Sequence, residues 1–142
     1  MGDMIEIEHC VIACLLWEGT NIPQILEWTG HLKAEMFEDA FSRASFETIA
    51  SLLAQGRTTV DSATVAAAGR IEKQKLLELE ASISSTAGVD GWIDAVRDSW
   101  SRRKLACACN EAVQRASEGK ESPAQLCEFL ESYVRDLATQ TI

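Results

Sequence analysis

The sequence predicts an all-α fold, a small helical globular bundle followed by a long antiparallel αα-hairpin. Three observations carry that expectation. Apolar residues recur at i, i+3, i+4 and i+7 through most of the chain, no segment alternates with period two between strand-type turns, and helix start and stop residues recur at helical lengths. The bundle is expected over residues 1–87 and the hairpin over residues 88–142. The two share no period, so the chain does not read as a repeat protein.

Residues 5–17 place Ile7, Val11, Cys14 and Leu15 on a helical stripe with Glu6, Glu8 and Glu18 elsewhere on the turn, and Gly19 ends the helix. Thr20 or Asn21 can cap a short second helix, because Pro23 falls in its first turn, where a missing N–H costs little; Gly30 closes it. After a connection through residues 33–37, a longer helix is expected over residues 40–55, burying Phe41, Phe46, Ile49, Leu52 and Leu53 and stopping at Gly56. Residues 57–60 form an extended link. Asp61 reads as the N-cap of a short helix through Ala68, with Gly69 at its far end. Residues 71–83 carry Leu76, Leu77 and Leu79 on a further helix, and residues 84–91 are expected as a loop.

The last third is the most sharply punctuated. A helix capped by Asp90 is expected over residues 91–118, ending at Gly119. Ser122-Pro123-Ala124-Gln125 is a capping box, since Ser122 can accept from the Gln125 N–H while Gln125 reaches back, and Pro123 sits at the first helical position. The following helix runs to about Ala138 with the stripe Leu126, Phe129, Leu130, Tyr133, Val134 and Leu137, which needs a partner helix. So short a connection implies an antiparallel hairpin.

Composition narrows the function classes. The 142 residues are 46% hydrophobic and 25% charged with two prolines, which fits one folded domain and excludes a disordered chain. Thirteen Lys and Arg against 22 Asp and Glu give a net charge of −9, so direct nucleic-acid binding by this chain is not expected. The longest apolar run, residues 10–17, is eight residues, far short of the ~20 that span a bilayer, and no membrane association is expected. Asp3, Glu6 and Glu8 at the start do not suit a secretory signal peptide. A cytoplasmic location and five reduced cysteines are the expectation.

Chemistry-bearing motifs are sparse. Neither a Walker A loop nor a G-x-G-x-x-G turn occurs, and His9 and His31 lie in no metal-binding pattern, so no catalytic residue, cofactor or metal is expected. Cys10 and Cys14, at i and i+4, could face a soft metal but read more simply as core thiols; Cys107 and Cys109 point to different sides of their helix. Arg102, Arg103 and Lys104, with Arg97 nearby, form the basic cluster of the long helix, either a patch for an acidic partner or a solvated face balanced by Asp94 and Asp98. Trp92 and Trp100 sit about two turns apart, as core or as interface anchors.

The order of residues along the chain resembles that of a known family. Ile5-Glu6-Ile7-Glu8-His9-Cys10-Val11-Ile12-Ala13-Cys14-Leu15-Leu16 resembles "(I)EAEQAVLGALL", the opening of the N-terminal domain of DnaB-type bacterial replicative helicases. Leu32-Lys33-Ala34-Glu35 with Phe37, then Phe46, Glu47 and Ile49, is similar to "L-x-P-E-D-F-Y … H-x-x-I-F-x-x-I". Gly56 with Val60-Asp61 and Thr64-Val65 resembles "G-x-x-V-D-x-x-T-V" with one extra residue, and residues 92–105, with Ala95-Val96-Arg97-Asp98 and Arg102-Arg103, resemble "Y-A-x-I-V-R-E … R-R-x-L". Ala13 replaces the family's glycine, Glu38 its tyrosine, Ser42 its histidine, and residues 74–79 its "G-G-x-A-Y-L", which suggests a divergent, phage- or plasmid-encoded member.

The resemblance implies a non-catalytic collar domain that self-associates, as a dimer or a trimer of dimers, and recruits a DnaG-type primase or a helicase loader in DNA replication. ATP-dependent unwinding would belong to a separate motor domain of the full-length helicase. The alternative it leaves is a stand-alone phage- or plasmid-encoded mimic that binds host helicase or primase. Helical phase then places Trp92, Val96, Trp100, Leu126, Phe129, Leu130 and Tyr133 in hairpin packing and self-association, with Arg97, Arg102 and Arg103 as polar interface residues.

Overall fold

The computed structural model describes residues 4–141, and all regular structure among them is helical. The helices are α1 (Met4–Trp17), α2 (Ile22–Thr29), α3 (Ala40–Ala54), α4 (Ser62–Gly69), α5 (Lys73–Ala81), α6 (Val89–Glu118) and α7 (Pro123–Thr141), with a single 3₁₀ turn at Ala34–Met36. They form two compact units, Met1–Val96 and Arg97–Ile142, divided within α6.

In the first unit α1 is the central helix, packed against α3 and α5. Residues 11–16 are all buried, so the helix is enclosed on every side in its second half, where the sequence had suggested a single apolar stripe. Ile25, Phe37, Ile49, Val60, Val65 and Leu76 complete the centre, all fully buried. Phe37 and Phe46 stack at 5.0 Å between ring centroids.

A polar clamp ties α1 to the start of α3. Glu8 is fully buried, and its carboxylate accepts the backbone N–H groups of Glu38 at 2.9 Å and Asp39 at 3.0 Å. These are donors at a helix N-terminus that no intrahelical carbonyl can serve. Burial pushes the Glu8 carboxyl above its ordinary value, and the two N–H donors pull against that. Asp39 caps α3 from the Ser42 N–H at 3.1 Å and also binds His9 Nε2 at 3.0 Å. Burial alone would raise the Asp39 carboxyl, but hydrogen bonds from His9 and Ser42 outweigh it and hold the group below its usual value.

Several ends differ in detail from the sequence reading. Asp61 caps α4 as expected, accepting the Thr64 N–H at 2.9 Å. Gly69 is the last residue of α4, where an added Cβ would collide with Thr48 Oγ1, and the left-handed residue follows it at Arg70, φ 54°. Helix α3 ends as expected at Gly56, φ +78°, with the Gly56 and Arg57 N–H groups returning to Leu53 and Leu52, a Schellman ending. Asn21 stands at the start of α2, but its side chain bonds to Glu18 and leaves the helix N–H groups alone. Helix α6 begins at Val89, two residues early, so Asp90 lies in its first turn as a favourable charge and is no cap. Phe41 and Leu53 are half-buried and Leu77 is exposed, where burial of the first two had been expected.

Candidate interaction site on the helical hairpin

The second unit joins the later part of α6 to α7 through Gly119, whose φ of +70° suits glycine. Both halves of the capping box form: Gln125 N–H donates to Ser122 Oγ at 3.2 Å, and Ser122 N–H donates to Gln125 Oε1 at 2.8 Å. Contacts at both ends fix an antiparallel pairing. Near the turn, Arg115 Nε donates to Glu121 Oε1 at 2.7 Å while its guanidinium lies 4.2 Å from the Phe129 ring centroid. At the far end Arg97 Nη2 donates to the Gln140 carbonyl at 3.4 Å. The Glu121 hydrogen bond raises the Arg115 guanidinium above its already high value, and the same bond lowers the Glu121 carboxyl.

Helix α7 has no buried residue among those described. Leu126, Phe129, Leu130, Tyr133 and Leu137 are each half-buried, and Val134 is exposed, as are Leu105 and Val113 on α6. Phe129 and Tyr133 lie 6.1 Å apart between centroids. They line a shallow concavity of about 390 Å³ on one face of α7, shared with Gln125, Glu128, Ser132 and Asp136. The aromatic pair thus sits in an acid-rimmed hollow that spacing could have shown, since these positions follow i, i+3, i+4, i+7, i+8 and i+11.

The residues singled out from sequence fall into three groups. Leu126, Phe129, Leu130 and Tyr133 share the partly open stripe of α7. Trp100 is buried, with Lys104 Nζ 5.9 Å from its ring centroid, while Arg102 is held by Asp98 at 2.8 Å on an open surface and Arg103 is half-buried. Trp92 and Val96 belong to the globular unit: Val96 is fully buried, and Trp92 is half-buried with its ring against Gly88, where a Cβ would come within 3.0 Å. The Arg115–Glu121–Phe129 cluster leaves no signal in sequence spacing, because it depends on the turn that brings α7 back beside Arg115.

Charge is divided unequally. The globular unit carries fifteen acids against six bases, a net of −9, and the hairpin unit carries seven of each and is neutral. The repulsion of phosphate inferred for the whole chain therefore resides in the first unit. Among the described residues no group of three or more His, Cys, Asp or Glu is arranged to hold a metal, and no helix is long and apolar enough to cross a membrane.

Residues 2–98 match the DnaB-like helicase N-terminal domain family. No curated protein matches the sequence at a significant level. The fold is similar to the crystal structure of the N-terminal domain of DnaB helicase from Mycobacterium tuberculosis, with a TM-score of 0.77 at 21% identity over 93% of this chain and 96% of that one. With the sequence match spanning the whole globular unit and the helical architecture agreeing beyond it, the chain belongs to the DnaB-like helicase N-terminal domain family.

Proposed function

We propose that the hairpin unit is a self-association surface, through which copies of this chain form the collar of a DnaB-like replicative helicase and recruit a primase or a helicase loader. The domain itself is non-catalytic, while the full-length family is a helicase. The observation that carries the proposal is α7, a helix with an apolar stripe and no buried residue among those described. A stripe of that kind is completed by another surface, because monomers seldom leave contiguous apolar area open. The hairpin is neutral, so a contact between two hairpins brings no net like charge of its own into the interface.

The test is the solution mass by light scattering across micromolar concentrations, with Phe129→Glu/Tyr133→Glu as the variant. The parent should be a dimer or larger, and the variant should be a folded monomer by circular dichroism. A parent that stays monomeric, or a variant of unchanged mass, removes the assignment. Pull-down of a DnaG-type primase by the parent and not by an unrelated acidic protein tests recruitment separately.

A further inference from the structure

The globular unit carries a concavity that its core packing leaves open. It measures about 450 Å³ and lies among α1, α3 and α5, lined by Glu6, Cys10, Phe41, Lys75, Glu78 and Leu79, with His9 and Ser82 beside them. His9 is engaged by Asp39 and meets the Phe41 ring edge-on at 5.6 Å. The face of Phe41 receives a cation, since Lys75 Nζ lies 4.1 Å from the ring centroid. The two carboxylates are underused. Glu6 has no hydrogen-bond or ion-pair partner among the described residues, and Glu78 accepts the Gln74 amide alone, at 3.2 Å.

A lining that combines Phe41 and Leu79 with the carboxylates of Glu6 and Glu78 matches a long basic side chain, which lays its methylenes on apolar surface and keeps its charge at the polar edge. The surrounding field agrees, because the unit's net −9 attracts a basic segment and repels phosphate. We propose that this cavity docks an arginine- or lysine-bearing segment of a partner protein, its alkyl stem against Phe41 and Leu79 and its charge between Glu6 and Glu78. The proposal concerns the globular unit alone and stands whether or not the hairpin self-associates.

The experiment titrates the full chain with the peptide acetyl-Leu-Arg-Leu-Arg-Leu-amide, followed by NMR, with the glutamate counterpart of the peptide as control. The arginine peptide should shift the ring signals of His9 and Phe41 and bind more weakly as salt rises, whereas the glutamate peptide should leave them unmoved. Glu6→Gln/Glu78→Gln should weaken binding about three- to tenfold, the range for two partly exposed ion pairs. Lys75→Met should tighten it, because a competing cation leaves the Phe41 face. All three positions are open enough to accept these changes without loss of the fold. Equal binding of the two peptides, unshifted His9 and Phe41 signals, or an affinity unaltered by the double variant would overturn the proposal.

Discussion

Glu8→Ala is the substitution whose cost follows most directly from the geometry. It removes the fully buried acceptor of the Glu38 and Asp39 N–H groups at the entrance to α3, two bonds that are themselves part-buried. Each buried donor left unpaired costs about 1–3 kcal/mol. Part of that sum is returned, because the variant no longer holds a carboxylate out of water. A net loss of about 2–4 kcal/mol is expected, a large share of the 5–15 kcal/mol typical of a domain. At about 4 °C per kcal/mol for a chain of this size, the thermal midpoint should fall by roughly 8–16 °C. Glu8→Gln retains the length and one acceptor and should lose about half as much.

The pH dependence gives an independent reading of the same clamp. The folded-state value of Glu8 is raised above the unfolded one, so its contribution is fully present below the unfolded value of 4.5 and declines as pH rises through the folded value. The gap between parent and Glu8→Gln should therefore narrow from pH 4 to pH 7 in urea unfolding followed by circular dichroism. A loss below about 1 kcal/mol for Glu8→Ala would show that the clamp is not what holds α1 to α3, and a gap that widens with pH would show that the two N–H donors outweigh burial at Glu8.

Two further outcomes can be checked on the same material. Arg70→Gly should raise stability by about 0.5–1 kcal/mol, because glycine adopts the left-handed conformation at φ 54° without the Cβ penalty; chemical denaturation that shows a loss would refute this. In thiol labelling at pH 8, Cys107, Cys109 and Cys127 are exposed and should react first, while Cys14, pushed up to about 12 by burial, should react only on unfolding; equal rates would contradict the packing of α1.

Local chemistry was legible in the sequence wherever a rule acts within a few residues. The Ser122–Gln125 box, the Asp61 cap and the Gly56 ending each formed as read, because both partners lie within one turn. The all-helical architecture was legible for the same reason, from the period of its apolar residues. What escaped depends on residues far apart in the chain. Glu8 reads as one acid on a helix face until its contact with residues 38 and 39 makes it a buried acceptor. Phe41 reads as core until the Lys75 ammonium is found over its ring. Gly69 ends α4 as read, but the left-handed turn falls one residue later at Arg70, and only the fold shows that a Cβ at Gly69 would meet Thr48. The hairpin stripe was legible as a pattern, but its partial exposure appears only once α6 is in place beside it.

With the unequal division of charge, the two proposed interactions should respond to salt in opposite directions. Any assembly held by the neutral hairpin gathers several globular units of net −9, whose mutual repulsion fades as the Debye length shrinks from about 30 Å at 0.01 M to about 8 Å at physiological ionic strength. Capture of a basic segment by the acidic unit weakens over the same interval, since it relies on the attraction that the ions screen. Under the two proposals, rising ionic strength favours self-association over capture of a basic segment.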